Sequence, residues 1–127
     1  MAQHQAALPQ GRGLDIFRGM SATVLLVFCA CPDDGSAERL ADLLVTHGLA
    51  ACVNIGPPLT SVYRWQGSME RSQERLLTIK TTAAAYPALE RALREQHPYD
   101  LPEIIAVPVT RGLPGYLEWV KECTKDA

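Results

Sequence analysis

Three observations predict an α+β fold of the ferredoxin-like kind: a βαββαβ sandwich with an antiparallel sheet, an extended β-hairpin and an extra C-terminal helix. Val24 to Cys31 is apolar at every position of both period-two faces, as a central strand covered on both sides must be. Leu59, Ser61, Tyr63 and Trp65 alternate along a second extended run that closes at Gln66-Gly67, which reads as a hairpin. Two stretches of helical period separate these extended runs. Right-handed crossovers then give strand, helix, strand, strand, helix, strand, with a helix added at the end.

Met1 to Gly19 is built from Gln, Ala, Gly, Pro and Arg without an apolar period, so residues 1–19 are expected to be a tail. Residues 20–127 are expected to form a single domain. Arg12 and Arg18 ahead of the apolar run give a superficial likeness to a secretory signal. Cys29-Ala30-Cys31 offers no clean cleavage site, and a buried strand is the preferred reading. Pro32 to Gly35 is a turn, Ser36 is positioned to cap a helix carrying Ala37, Leu40, Ala41 and Leu44, and His47 and Gly48 stop it.

Ala50 to Gly67 reads as one bent strand, because neither Pro57 nor Pro58 can donate to a ladder and the pair belongs at a bulge or bend. A polar loop is expected after Gly67, then a second hairpin arm from Glu74 to Thr81. Pro87 opens the next helix, with Leu89, Ala92 and Leu93 inward and Glu90 four residues before Arg94, and Pro98 ends it. Glu103 to Val109 is the last strand and Pro114 to Glu122 the added helix. Two helices on one face leave the other face of the sheet bare, although the first strand is apolar there too. A second copy of the chain is the economical cover.

Composition narrows the function. The chain has 127 residues, 47% hydrophobic and 20% charged, with a formal net charge of −2. Its twelve Lys and Arg are scattered among fourteen acids, which argues against a nucleic-acid partner. No stretch reaches membrane-spanning length, so no membrane is expected. The four cysteines, Cys29, Cys31, Cys52 and Cys123, form no C-x-x-C pair and read as reduced thiols of a cytoplasmic protein. No nucleophile has a recognisable adjacent base and no phosphate loop is present, so an enzyme is not expected.

Several separated motifs carry a family resemblance. ACVN at Ala51–Asn54, TSVYRWQG at Thr60–Gly67, Glu74 followed by IKT at Ile79–Thr81, HPYDLPEI at His97–Ile104 and YLEW at Tyr116–Trp119 together resemble the CutA family of divalent-cation tolerance proteins. Asp100 stands where that family commonly has Glu. The resemblance spans about Val24 to Val120 and implies a homotrimer of ferredoxin-like subunits whose hairpins pair across subunit boundaries. It implies a role in divalent metal ion (copper) tolerance with weak metal binding and no required cofactor, copper or another divalent ion being the expected ligand. The alternative it implies is a small-molecule sensor with an intersubunit cleft, similar to the nitrogen-regulatory trimers.

The resemblance also implies two sets of candidate site residues. Cys29 and His97 match ligands proposed for some members of the family and Cys52 lies in its ACVN motif, so these three are the candidate metal ligands, thiolate and imidazole being suited to copper and zinc. A further cysteine of some relatives is Ala92 here, and the same cysteines also suit plain packing in strands. Cys31 shares a face with Cys29 and is read as packing. Trp65, Glu74, Lys80, Tyr99, Glu103 and Trp119 are the candidate cleft, either as a ligand site of a few polar groups in an apolar cavity or as an interface network of ion pairs and aromatic anchors.

Overall fold

The computed structural model describes residues 22–124, so the tail expected over residues 1–19 lies outside them. The elements are β1 (Val24–Pro32), α1 (Ser36–Thr46), β2 (Cys52–Ile55), β3 (Leu59–Trp65), β4 (Ser68–Thr82), α2 (Tyr86–Gln96), β5 (Ile105–Pro108) and α3 (Pro114–Thr124). The sheet runs β2-β4-β1-β5, with β3 also paired to β4, and every pairing is antiparallel. This is the ferredoxin-like α+β layout.

β4 is the spine. It pairs with all nine residues of β1 on one side and with β2 and then β3 on the other. The expected polar loop after Gly67 is instead strand from Ser68 onward, because Gln66 and Gly67, at φ 50° and 83°, make a two-residue turn that sends the chain straight back along β3. Polar composition marks solvent exposure here, not irregular backbone. Ile55 pairs with Leu77 and Leu59 with Glu74, so Gly56, Pro57 and Pro58 face only Arg75 and Leu76. That one extra residue is a bulge, held by the Gly56 N–H on the Leu76 carbonyl at 2.9 Å. A Cβ at Gly56 would lie 3.1 Å from the same carbonyl oxygen, which favours glycine there. The bulge also reverses the pleat, which puts Leu59, Ser61, Tyr63 and Trp65 on the sheet face opposite the two central helices.

Leu25, Val27, Cys29 and Cys31 of β1, with Leu77 and Ile79 of β4, are fully buried beneath Ala37, Leu40 and Leu44 of α1 and Leu89 and Leu93 of α2. On the other face α3 lays Val120 and Leu117 against Val24 and Ala51. That covers only one end of the face: Leu26 and Phe28 remain half-buried, and Ile105 of β5 is 55% exposed.

Three local expectations are corrected. Ser36 is the first residue of α1, not its cap; Gly35, at φ 94°, holds the cap position, and the Asp34 carboxylate takes the Ser36 N–H at 2.9 Å and its hydroxyl at 2.5 Å. Glu90 accepts the Tyr86 hydroxyl at 2.9 Å, one turn earlier than the expected Arg94 partner. The last strand, Ile105–Pro108, is shorter than 103–109, although the Val109 N–H still bonds the Val24 carbonyl at 2.9 Å.

Candidate functional site

Where β5 stops, the C-terminal half of β1 has a free edge, and the chain leaving α2 folds against it. His97, the C-cap of α2, is buried there with Nε2 2.8 Å from the Ala30 carbonyl oxygen. Its Nδ1 accepts the Tyr99 backbone N–H at 3.0 Å. A carbonyl can only accept and a backbone N–H can only donate, so the ring is the neutral tautomer with its proton on Nε2. Cys29 and Cys31 flank Ala30 on the buried side of β1, and the two sulfurs and a ring nitrogen of His97 all lie within 4.8 Å of one another. Cys29 donates to Cys31. That hydrogen bond, then burial, raises the Cys29 thiol, and the same bond lowers the Cys31 thiol.

The third expected ligand stands apart. Cys52 pairs with Lys80 on the opposite face of the sheet, half-buried, its Sγ 3.9 Å from the Lys80 Nζ, and Asn54 takes the same ammonium on its Oδ1. Within one chain, the residues brought together are Cys29, Cys31 and His97, while Cys52 stands apart from Cys29 and His97. The signal for Cys31 was present in the sequence: two residues apart on a strand means one face, and both sulfurs belong to one cluster or to none.

The six candidate cleft residues fall into separate places. Tyr99 donates its hydroxyl to Glu74 Oε2 at 3.0 Å, both residues being buried, and Glu103 is close enough to feel the Glu74 charge. Burial first, and Glu74 second, raise the Glu103 carboxyl; the same two causes raise the Tyr99 phenol. Trp65 pairs with Ser68 at the hairpin tip, and Trp119 stacks on Tyr116 of α3 with ring centres 5.5 Å apart. Ser68, Glu74 and Lys80 lie on one face of β4 at six-residue steps, which at a rise of ~3.3 Å per residue sets neighbours about 20 Å apart. One chain alone does not gather them.

The comparisons with known proteins agree with this layout. The family model described as CutA1 divalent ion tolerance protein matches residues 25–123. The divalent-cation tolerance protein CutA of Thermus thermophilus is 46% identical over 99 residues, spanning 78% of this chain and 96% of its own. Mouse Protein CutA is 43% identical over 103 residues, which cover 81% of this chain but only 58% of the mouse protein. The crystal structure of CutA1 from Oryza sativa superposes with a TM-score of 0.80 at 39% identity, covering 83% of this chain and 96% of that one.

Proposed function

The chain belongs to the CutA1 divalent ion tolerance family, and from that premise we propose that it is a homotrimeric, cytoplasmic metal-response protein that binds copper or another divalent ion weakly. The observation that carries the metal reading is the buried cluster of two thiols and an imidazole within 4.8 Å. Divalent copper or zinc wants three or four donors, with sulfurs and nitrogens about 2.0–2.3 Å from the ion. Both nitrogens of His97 already carry hydrogen bonds, so the imidazole joins a coordination shell only after giving one up. Binding is weak for that reason. The same commitment keeps His97 from serving as a base toward the neighbouring thiols, which supports a binding protein and not an enzyme.

Trimer formation is supported by surface that one chain leaves open. Among the described residues the edge of β3 away from β4 has no partner strand, Val62, Ile105 and Val107 are exposed, and Leu26 and Phe28 are incompletely covered. No helix among the described residues is long and apolar enough to cross a membrane. A second reading, an effector sensor, is favoured by the shared face of Trp65, Glu74 and Lys80, whose spacing suits a cleft completed by another subunit.

Light scattering at micromolar concentration combined with calorimetric titration of Cu(II) and Zn(II) tests both halves. A trimer mass is expected, with weak Cu(II) uptake that is reduced in Cys29→Ala and unchanged in Cys52→Ala. A monomer mass would overturn the assembly, and Cu(II) uptake indifferent to Cys29 would overturn the site.

A further inference from the structure

Cys29 and Cys31 are fully buried, whereas Cys52 is half-buried on the outer sheet face and Cys123 is exposed on α3. Among the described residues Cys52 alone of these has an amine within hydrogen-bond reach: it stands directly opposite Lys80 in the β2–β4 ladder, with Sγ 3.9 Å from Nζ. We infer that Cys52 and Lys80 form a peroxide-responsive modification site, in which hydrogen peroxide joins the two side chains through a sulfur–nitrogen bond and thiols release them. Strand pairing holds both groups in place. Directly opposite residues share a sheet face with Cβ atoms about 4.5–5.5 Å apart, and Asn54, on the same face two residues beyond Cys52, accepts the Lys80 ammonium on Oδ1. The ammonium is thereby kept beside the sulfur, and Lys80 is itself half-buried. Tyr116 of α3 also lies near: burial first, then the charge of Cys52, raises its phenol, which leaves a protonated hydroxyl close to the thiol.

The place of the amine sets the chemistry. The Cys52 thiolate, the nucleophilic form of a cysteine, attacks one oxygen of hydrogen peroxide and the O–O bond breaks. Lys80 gives a proton to the departing hydroxide, so water leaves, Cys52 becomes a sulfenic acid and Lys80 a neutral amine. The proton that assists the first step is the one whose loss makes the nitrogen a nucleophile for the second. That amine attacks the sulfur, the S–O bond breaks, and the hydroxide takes a second proton from nitrogen and leaves as water. One thiol, one amine and one peroxide thus give one S–N bond and two waters, with sulfur oxidised and peroxide reduced. A sulfenic acid condenses in this manner with a neighbouring thiol or backbone nitrogen, and at Cys52 the neighbour is the Lys80 nitrogen. The remaining gap closes by rotation about the flexible four-carbon stem of Lys80 with the ladder intact. Two equivalents of an added thiol restore the Cys52 thiol and the Lys80 amine and become a disulfide. While it lasts, the link removes the charge of Lys80 and ties β2 to β4 through their side chains.

The test is treatment of the reduced, metal-free intact protein with one equivalent of hydrogen peroxide per chain, followed by intact mass and peptide mapping. The expected product is lighter than the reduced chain by two hydrogens, yields a peptide pair joined at Cys52 and Lys80, does not react with dimedone, and returns to the starting mass in dithiothreitol. Cys123→Ser should give the same product; this variant removes the disulfide of Cys52 with Cys123, which would lose the same two hydrogens. In Lys80→Arg the guanidinium stays protonated and cannot act as the nucleophile. The loss of two hydrogens should then disappear, and dimedone should trap Cys52 as its sulfenic acid. A wild-type Cys52 that stops at the sulfenic acid, goes on to the sulfinic acid, pairs with Cys123 or fails to react would overturn the assignment, as would a linked product in Lys80→Arg. The wild-type peptide map needs no variant to fold.

Discussion

Tyr99 and Glu74, twenty-five residues apart, meet through a 3.0 Å hydrogen bond from the phenol to Oε2 in a place where neither side chain reaches water. The bond ties the segment after α2 to the middle of β4. Tyr99→Phe removes the hydroxyl and keeps the ring, taking a donor from a carboxylate with no exposure to solvent. The expected loss is about 1–3 kcal/mol, read from denaturant unfolding; a change near zero would mean that the bond is dispensable.

Glu103 carries the opposite liability. Its carboxyl is raised above the ordinary value by burial and by Glu74, so the folded protein holds this proton more tightly than the unfolded chain does. Stability from this group therefore grows as pH falls from above the folded pKa toward the unfolded value of about 4.3, and is absent when both states are ionised. Glu103→Gln should be more stable than wild type at neutral pH, with the advantage shrinking as the solution is acidified. A gap independent of pH would show that Glu103 is not the group responsible.

At the hairpin tip, Gln66 sits at φ 50° and Gly67 at φ 83°. Glycine is suited to its position, but glutamine pays a steric penalty that asparagine largely avoids. Gln66→Asn should raise stability by about 0.5 kcal/mol. Thermal melts of the two proteins at equal concentration check this, and a lower melting temperature in the variant would contradict it.

Trp65 is half-buried in one chain, on the outer sheet face of a hairpin whose far edge is open. As an anchor between subunits its removal is expected to cost about 2 kcal/mol or more. Trp65→Ala should shift the assembly toward smaller mass in sedimentation at micromolar concentration. The wild-type melting temperature should rise with concentration, as mass action requires of coupled folding and assembly.

The two apolar faces of β1 and the proline pair were enough to read a central strand and a bent strand from the sequence, because burial on both sides and a missing donor leave few alternatives. The length of β4 was not legible: Ser68 to Gln73 has a loop's composition, and only pairing with β3 makes it strand. Asp34 displaced Ser36 as the capping acceptor for a similar reason, since either side chain suits the role and only the turn geometry chooses. Cys29 and His97 were found together, whereas Cys52 was separated from them by the face of the sheet it occupies. Resemblance supplied those three names, and strand parity was the information needed to place Cys31 beside Cys29.

The central place of β4 has a consequence for synthesis. β1 is made early, but its main partner is completed only at Thr82, so the ribosome must add about fifty residues first, a wait of roughly 3–10 s at about 5–20 residues per second. During that interval a nine-residue strand, apolar on both faces, has its edge toward β4 open. The β3–β4 hairpin, closed by a two-residue turn, needs no such wait and can form within about 1–10 μs once its residues are free. Nascent chains should therefore be most prone to self-association, and most in need of a chaperone, between the emergence of β1 and that of β4.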